Sequence, residues 1–349
     1  MKKFQIGSRL ISHQQPCYVI AEIGVNHNGK EALAVELVKE AAKAGADAIK
    51  FSKPDPYKLH SKERHSSHCL ENFCHDGTAE AEYAAQFALS DKVLIKVAQL
   101  CKKLKIDFLS TPFDEASVDF LVTLGVPAIK IGSGDLTADS FLRYVAKQKL
   151  PVILSTGMST LEEVHHAVAL LMEHGCPELA LLHCVSNFPA PLEGLNLRAM
   201  QTLEREFDVP VGFSDHTTGI EAATVAVALG GCIVEKHFTL NKELPGPDHR
   251  YSLDPYEMAR MVKEIRQVEL ILGVEQKVPT VAELEFRKFG RRSIVAKETI
   301  EPQTLITEAM LMLKRPGTGI PPRDLYKVLG RKAKVRINAG EILTWDKLD

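Results

Sequence analysis

Two histidines lie at the ends of short apolar segments, where they could act as metal ligands. His216 belongs to the stretch GFSDHT (212–217), and His237 belongs to EKHFTL (235–240). Imidazole nitrogens bind divalent metals well, but the sequence contains no self-sufficient motif such as HExxH. From the residues alone, the pair is either a metal site or two packed side chains. The elements that position the histidines decide between these possibilities.

Lysines, hydroxyls and carboxylates also occur at the ends of apolar segments. One such lysine can simply pair with a neighbouring glutamate, but two lysines with several serines predict a cationic, donor-rich pocket that suits a phosphate and a carboxylate. We interpret His183 as structural and give Asp215 no role beyond orienting its neighbours. The pocket set is Lys50, Lys130, Ser133, Ser155, Ser186 and Ser214, and the acids are Glu22 and Asp135.

Eight apolar segments predict the strands that hold these side chains. Most are nearly continuous in apolar residues, which is typical of parallel strands covered by helices. Segments with the apolar spacing of helices lie between them. The predicted strands are 18–24, 48–52, 107–111, 128–133, 152–157, 179–184, 211–216 and 232–238. The predicted helices are 30–47, 91–106, 160–175, 219–231 and 254–273, with three more in 112–125 and after residues 137 and 195.

This alternation predicts an α/β fold, namely a (β/α)₈ barrel of the TIM type. A doubly wound open sheet is the alternative, and it is disfavoured because GVNHNG rather than GxGxxG follows the first strand. In a barrel the carboxyl ends of the strands meet at one face, so the polar side chains are expected to converge there. His216 and His237 would then end adjacent strands.

One connection, residues 53–89, has no clear regular element. A loop of this length in a compact domain is usually functional or mobile. It contains HSKERHSSHCLENFCH (60–75), whose histidines and cysteines form a rival candidate for metal binding. Their spacing matches no zinc pattern, so a solvated loop is the favoured interpretation.

The C-terminal region carries an internal repeat. IEPQTLITEAML (300–311) aligns with INAGEILTWDKL (337–348) at an offset of 37 residues. Two copies are too few for a solenoid, so they predict a small domain with pseudo-twofold symmetry. The expected domains are a barrel at 1–275, a charged linker at 276–292 and the repeat domain at 293–349.

The bulk composition excludes several classes of protein. The net charge of −2 gives no global bias toward nucleic acid or anionic membranes, although a small anion needs only a local cluster of cations. The seven cysteines include no CxxC pair, which fits a reducing compartment. The N-terminal segment lacks the apolar core of a signal peptide, and the apolar run 222–234 is too short to span a bilayer. We therefore expect a cytoplasmic protein.

Nine short motifs resemble the sialic acid synthases, which are phosphoenolpyruvate-dependent enzymes that make nonulosonic acids. The resemblance extends from about residue 4 to the end of the chain, and the C-terminal repeat resembles the small β-rich antifreeze-like (SAF) domain of that family. The motifs, in chain order, are AEIGVNHNG, STPFD, KIGSGD, LSTGM, HCVSNFP, GFSDHT, EKHFT, GPDH and KRPGTG.

The resemblance implies a reaction and a metal. Phosphoenolpyruvate would condense with open-chain N-acetylmannosamine, giving N-acetylneuraminic acid and phosphate with C–O cleavage. A divalent ion, Mn²⁺ or Mg²⁺, would be held by His216 and His237. Glu22 and Asp135 would handle protons and contact the sugar, and the lysine and serine set would bind phosphoenolpyruvate.

The resemblance also implies a sugar site and an oligomer. Asp248 in GPDH would bind sugar hydroxyls. Arg315 in KRPGTG would reach from the antifreeze-like domain of one subunit to the N-acetyl group in the barrel of the other, as part of a domain-swapped homodimer. Phe188, also at the sugar site, stands where a tyrosine is common in the family, which removes one hydroxyl there.

Three alternatives stay open at this level. The first is a synthase for legionaminic acid or another bacterial nonulosonate, which would take a 2,4-diacetamido-trideoxyhexose. The second is a non-catalytic binding protein that uses its C-terminal domain. The third is a phosphoenolpyruvate-condensing barrel for a phosphorylated sugar, which would need a second phosphate site.

Overall fold

A computed structural model describes residues 4–59 and 80–349 of the chain. The chain divides into two compact units, Met1–Gly273 and Val274–Asp349. In the described residues no helix is long and apolar enough to cross a membrane. The histidine- and cysteine-rich stretch 60–75 lies outside the described residues.

The first unit contains eight parallel strands in one sheet and a separate two-stranded hairpin. The hairpin strands are β1 Phe4–Ile6 and β2 Arg9–Ile11, and the parallel strands are β3 Tyr18–Gly24, β4 Ala48–Lys53, β5 Asp107–Pro112, β6 Ile129–Ile131, β7 Val152–Ser155, β8 Leu179–Cys184, β9 Val211–Asp215 and β10 Ile233–His237. The hydrogen-bonded order of the parallel strands is β5-β4-β3-β10-β9-β8-β7-β6, and β5 and β6 lie side by side, so the barrel is nearly closed. The (β/α)₈ prediction is therefore confirmed, and the open-sheet alternative is excluded.

Helices follow the barrel strands, and their ends obey the local sequence signals. Thr160 and Glu163 form a capping box, because the Glu163 backbone N–H donates to Thr160 Oγ1 and the Thr160 N–H donates to Glu163 Oε2. The helices of this unit are α1 Glu31–Lys43, α2 Pro56–Leu59, α3 Glu80–Ala85, α4 Asp91–Leu104, α5 Glu115–Leu124, α6 Asp139–Lys147, α7 Leu161–Glu173, α8 Ala199–Phe207, α9 Glu221–Ala228 and α10 Pro255–Leu272.

Helices occur in two segments where the sequence predicts none. The prediction that the connection 53–89 has no regular element is wrong, because its described ends contain the short helices α2 and α3. The charged linker predicted at 276–292 contains the helix α11 Val281–Gly290. Thr280 caps α11 with a capping box to Glu283. None of the side chains of α11 is buried, so its apolar spacing gives a weak signal in the sequence.

The barrel interior is filled by side chains rather than left open. Inward residues such as Ile20, Leu109 and Ile153 pack together, whereas outward residues of the same strands pack against the helices. The antiparallel hairpin of β1 and β2 adds Phe4 and Ile6 to the inner cluster. Because these two residues meet Tyr18 and other first residues of barrel strands, the hairpin closes the amino end of the barrel.

The second unit confirms the predicted repeat. Ile300 and Ile337 exchange reciprocal backbone hydrogen bonds of 2.9 and 3.0 Å, as two residues on a local twofold axis would. The 3₁₀ turns Glu308–Met310 and Trp345–Lys347 also lie 37 residues apart. A separate apolar core lies between the copies. The remaining elements of this unit are β11 Ser293–Ala296, β12 Leu311–Lys314 and α12 Leu325–Val328.

We predict that Phe4→Ala lowers the free energy of unfolding by about 3–5 kcal/mol, because it opens a cavity in the inner core. Phe4 is fully buried, whereas Leu10 on the same hairpin is 41% exposed. Leu10→Ala is therefore the control and is expected to change stability by no more than about 0.5 kcal/mol. Urea unfolding measures both values. An equally small loss of stability in the two variants would contradict the role of the hairpin in closing the amino end of the barrel.

Candidate active site

A cavity of about 420 Å³ opens at the carboxyl end of the barrel strands. All the predicted site residues line it except Asp135 and Arg315. Asp135 lies in the 3₁₀ turn Ser133–Asp135, just beyond β6, and Arg315 is exposed in the second unit. The residues that the fold brings together are Glu22, Lys50, Lys130, Ser133, Ser155, Ser186, Phe188, Ser214, His216, His237 and Asp248.

Two buried lysines and two buried carboxylates form a chain of charges across the floor of this cavity. Lys50 Nζ lies 3.0 Å from Glu22 Oε2 and 3.6 Å from Glu235 Oε1. Lys130 Nζ lies 3.9 Å from the same Glu235 oxygen. Both interpretations of the lysines therefore apply. Lys50 pairs with a neighbouring glutamate, and the two ammonium groups together line the same cavity. Glu235 bridges the two ammonium groups.

The two carboxylates differ in acidity. Burial raises the pKa of Glu22 to about 7, against the opposing effect of the Lys50 ammonium. Burial acts in the same direction on Glu235, but Lys130 and Lys50 outweigh it and hold the pKa of Glu235 below its usual value. Glu235 therefore remains ionised at neutral pH, whereas Glu22 can exchange a proton there.

Hydroxyl groups surround the lysines. Lys50 Nζ donates to Thr111 Oγ1 over 3.0 Å, and Lys130 Nζ donates to Ser155 Oγ over 2.7 Å. Ser214 Oγ donates to Glu235 Oε1 over 3.1 Å. These contacts leave a cluster of hydroxyls and ammonium groups at one side of the cavity, the chemistry that binds a phosphate.

Gly157, two residues beyond the end of β7, allows two serines to lie close together on this side of the cavity. A Cβ at Gly157 would lie 2.3 Å from Ser186 Oγ and 2.8 Å from Ser133 Oγ. The Gly157 backbone N–H donates to Ser133 Oγ over 2.9 Å. Since real Cβ atoms do not approach oxygen so closely, only glycine fits at this position without displacing the serines.

His216 directly follows β9 and His237 ends β10, and their ring centroids lie 5.5 Å apart. His216 Nδ1 donates to the carbonyl of Val185 over 2.8 Å, which leaves its Nε2 lone pair unused. His237 Nδ1 is buried without a hydrogen-bond partner, and Asp248 Oδ2 lies 3.7 Å from it. Burial, followed by the charges of His216 and Lys50, holds the pKa of His237 well below its usual value.

These observations fit a divalent ion held by the two imidazoles. Burial acts to lower the pKa of His216, but contacts with Cys184 outweigh it and raise that pKa, so the ring must release its proton when it binds the ion. An orphaned, buried Nδ1 on His237 and a fixed tautomer of His216 are features of ligand nitrogens. Within 4–59 and 80–349, no group of three or more His, Cys, Asp or Glu side chains forms a complete metal centre. A metal at the two histidines would therefore keep positions open for substrate or water.

An aromatic wall covers the histidines. The Phe188 ring centroid lies 4.2 Å from that of His216 and 5.7 Å from that of Tyr251. Tyr251 donates a hydrogen bond to Asp248. Burial raises the pKa of Asp248, although this hydrogen bond acts to lower it. Phe188 is 40% exposed, so one face of its ring remains available to a ligand.

The sequence reasoning missed Thr111, Glu235 and Tyr251 as site residues. The two-residue period of β10 could have found Glu235, because it shares a strand face with His237. No comparable signal marks Tyr251, which reaches the cavity from the 3₁₀ turn His249–Tyr251. His183 hydrogen-bonds the Leu195 carbonyl over 2.6 Å, which agrees with its structural interpretation.

Residues 37–277 match the NeuB family, and residues 291–349 match the SAF domain. The chain belongs to the NeuB family. This synthase is therefore a phosphoenolpyruvate-dependent enzyme that makes a nonulosonic acid, and the non-catalytic alternative is excluded. Members of the family are metal-dependent in general. The resemblance drawn from the motifs, including the C-terminal SAF domain, is confirmed.

This NeuB-family synthase is similar over most of its length to two named synthases and to one crystal structure. It is 42% identical to the N,N'-diacetyllegionaminic acid synthase of Legionella pneumophila, over 95% of both chains. It is 32% identical to the N-acetylneuraminate-9-phosphate synthase of Homo sapiens, over 98% of this chain and 95% of that one. A crystal structure of N-acetylneuraminic acid synthetase from Leptospira borgpetersenii superposes with a TM-score of 0.72 at 33% identity, covering 81% of this chain and 94% of that one.

We predict that Glu235→Gln lowers the free energy of unfolding of this synthase by about 3 kcal/mol, because it leaves two buried ammonium groups without their shared counter-charge. The control is Glu36→Gln, which breaks an exposed pair with Lys39. That change is expected to cost no more than about 0.5 kcal/mol. Urea unfolding in phosphate-free buffer measures both, and equal losses would show that Glu235 has no special electrostatic role.

Proposed function

We propose that this synthase condenses phosphoenolpyruvate with 2,4-diacetamido-2,4,6-trideoxymannose to give N,N'-diacetyllegionaminic acid and phosphate. The observation that carries the proposal is the greater similarity to the legionaminic acid synthase than to the synthase of the N-acetylneuraminate series. Phe188 supports it, because a phenyl ring at the sugar side of the cavity suits a sugar with a deoxy carbon. N-acetylmannosamine, the substrate expected from the motifs, is the second candidate.

The lysine and serine side of the cavity would bind phosphoenolpyruvate. Lys50 and Lys130 supply positive charge, and the surrounding hydroxyls supply the donors and acceptors that fix the orientation of phosphate and carboxylate. Burial leaves Lys50 and Lys130 only 5% and 2% exposed, so their charges act in a low-dielectric site. The hydroxyls in this role are those of Ser133, Ser155, Ser186 and Ser214.

The reaction needs one proton acceptor and donor close to the reacting carbons. C3 of phosphoenolpyruvate attacks the aldehyde carbon, and the aldehyde oxygen takes up a proton. Water then adds at C2, and phosphate departs with the oxygen that joined it to C2, which leaves the 2-keto acid. Glu22, with a pKa of about 7, is the group suited to exchange those protons. Asp135 is the second candidate, because burial raises its pKa to about 6 against the effect of Lys130.

His216 and His237 would hold Mn²⁺ or Mg²⁺ next to the aldehyde. When bound, the ion supplies Lewis acidity that polarises the aldehyde oxygen. The hydrogen bond from His216 to Val185 keeps its free nitrogen directed into the cavity, and Asp248 lies close enough to His237 to bind sugar hydroxyls beside it. Arg315, contributed by the partner in a domain-swapped homodimer, would contact an N-acetyl group.

We predict that kcat/KM for 2,4-diacetamido-2,4,6-trideoxymannose exceeds that for N-acetylmannosamine by at least about tenfold, the discrimination that one or two substituents can provide in a fitted pocket. The thiobarbiturate reaction of 2-keto-3-deoxy acids, run with phosphoenolpyruvate and Mn²⁺, measures both rates. Phe188→Tyr is the matched variant, and its added hydroxyl should lower the ratio of the two kcat/KM values. A preference for N-acetylmannosamine would overturn the proposed substrate while leaving the enzyme class intact.

We predict that His216→Ala and His237→Ala each lower metal-dependent turnover by at least about a hundredfold, because each removes one of two protein ligands. His165→Ala is the control, since His165 lies on the exposed face of α7. Circular dichroism should show all three variants folded. Full activity of either cavity variant at saturating Mn²⁺ would refute the metal assignment.

A further inference from the structure

The buried ion pair between Asp215 and Lys236 has no part in the chemistry described above. The two residues are direct register partners on β9 and β10, and both side chains are fully buried. Lys236 Nζ lies 2.9 Å from Asp215 Oδ2. Neither residue lines the cavity, because both alternate with residues that do and so point outward from the barrel.

The pair and Thr217 form a closed ring of contacts that joins the residues on either side of His216 in the chain. Lys236 Nζ donates to the Thr217 carbonyl over 2.6 Å and to Thr217 Oγ1 over 3.0 Å. The Thr217 backbone N–H donates to Asp215 Oδ1 over 2.8 Å. One ammonium group therefore holds the residue before His216 and the residue after it. Because Lys236 also directly precedes His237, the same contacts connect the backbones that carry both histidines.

Stability alone gives little reason for such a pair. Removing two charges from water is costly, and replacing a buried ion pair by apolar residues of similar volume is often neutral or stabilising. An apolar pair makes no hydrogen bonds. It cannot hold the Asp215 carboxylate and the carbonyl and hydroxyl of Thr217 in one arrangement, as the Lys236 ammonium does. The contribution expected of the ring is therefore geometric, and the groups nearest to it are the two imidazoles.

We propose that Asp215 and Lys236 are positioning residues that fix His216 and His237 relative to each other and thereby set the affinity for the divalent metal. This inference rests on the proposed metal site. The ring acts on the ligands from behind the strands, as partners of metal-bound side chains do when they fix ligand orientation. It makes no contact with substrate.

The test compares metal affinity with stability in the full-length protein. Asp215→Asn/Lys236→Met removes both charges, keeps the volume, and keeps an acceptor for the Thr217 N–H. Titration of Mn²⁺ followed by electron paramagnetic resonance, without substrates, gives Kd. Urea unfolding in chelator gives the stability of the metal-free protein. We expect a Kd raised about 10- to 100-fold with a nearly unchanged unfolding midpoint.

The matched control lies at the other end of the barrel. Arg266 Nη2 pairs with Asp47 Oδ2 over 3.1 Å, far from the cavity, so Asp47→Asn/Arg266→Met should leave the Mn²⁺ affinity unchanged. If Asp215→Asn/Lys236→Met does not fold, Asp215→Asn/Lys236→Gln is measured, because it also removes both charges and leaves neutral hydrogen-bonding groups rather than an unpaired buried charge. A wild-type Kd in the folded variant would overturn the inference.

Reference variants separate this result from a failure of the metal site. Loss of Mn²⁺ binding in His216→Ala together with wild-type affinity in Asp215→Asn/Lys236→Met would refute the positioning role alone. Wild-type affinity in both His216→Ala and His237→Ala would refute the metal site, and the positioning role with it.

Discussion

The burial of two ammonium groups beside each other is the constraint around which the carboxyl end of the barrel is arranged. Lys50 and Lys130 are almost fully buried, and an isolated ammonium in such a place would lose its proton or destabilise the fold. Glu235 lies between them and is ionised because of them. Hydroxyls complete their hydrogen bonding without adding negative charge, so the positive charge of the ammonium groups stays available to an arriving anion.

The same arrangement separates the cavity into two chemical halves. One half holds lysines and hydroxyls, and the other holds the imidazoles of His216 and His237 under the ring of Phe188. Glu22 lies between the halves and pairs with Lys50. Its pKa of about 7 is close to neutral pH. A condensation between an anionic enol phosphate and a polyhydroxy aldehyde needs this kind of division, because the two partners present unlike surfaces.

Much of the barrel could be predicted from the sequence, because buried parallel strands are continuous apolar runs and their carboxyl ends must meet. The strand that carries His183 and the strand that carries Glu22 were predicted with the bounds observed. The helices α2, α3 and α11 were missed because they are short or bury no side chain. Tyr251 could not be predicted, since its place in the cavity depends on a turn whose path follows from packing rather than from any period.

Gly157 shows how unevenly the cavity tolerates change. The lysine and serine side, which we propose binds phosphoenolpyruvate, is packed so closely that a methyl group at this glycine would displace two serine hydroxyls. The side that carries the imidazoles is more open, since Phe188 is 40% exposed. If the two sides bind phosphoenolpyruvate and the sugar as proposed, new sugar specificities can arise by exchanging side chains near Phe188 while the phosphoenolpyruvate site is kept. A single scaffold can in this way diversify its products without re-evolving its reaction.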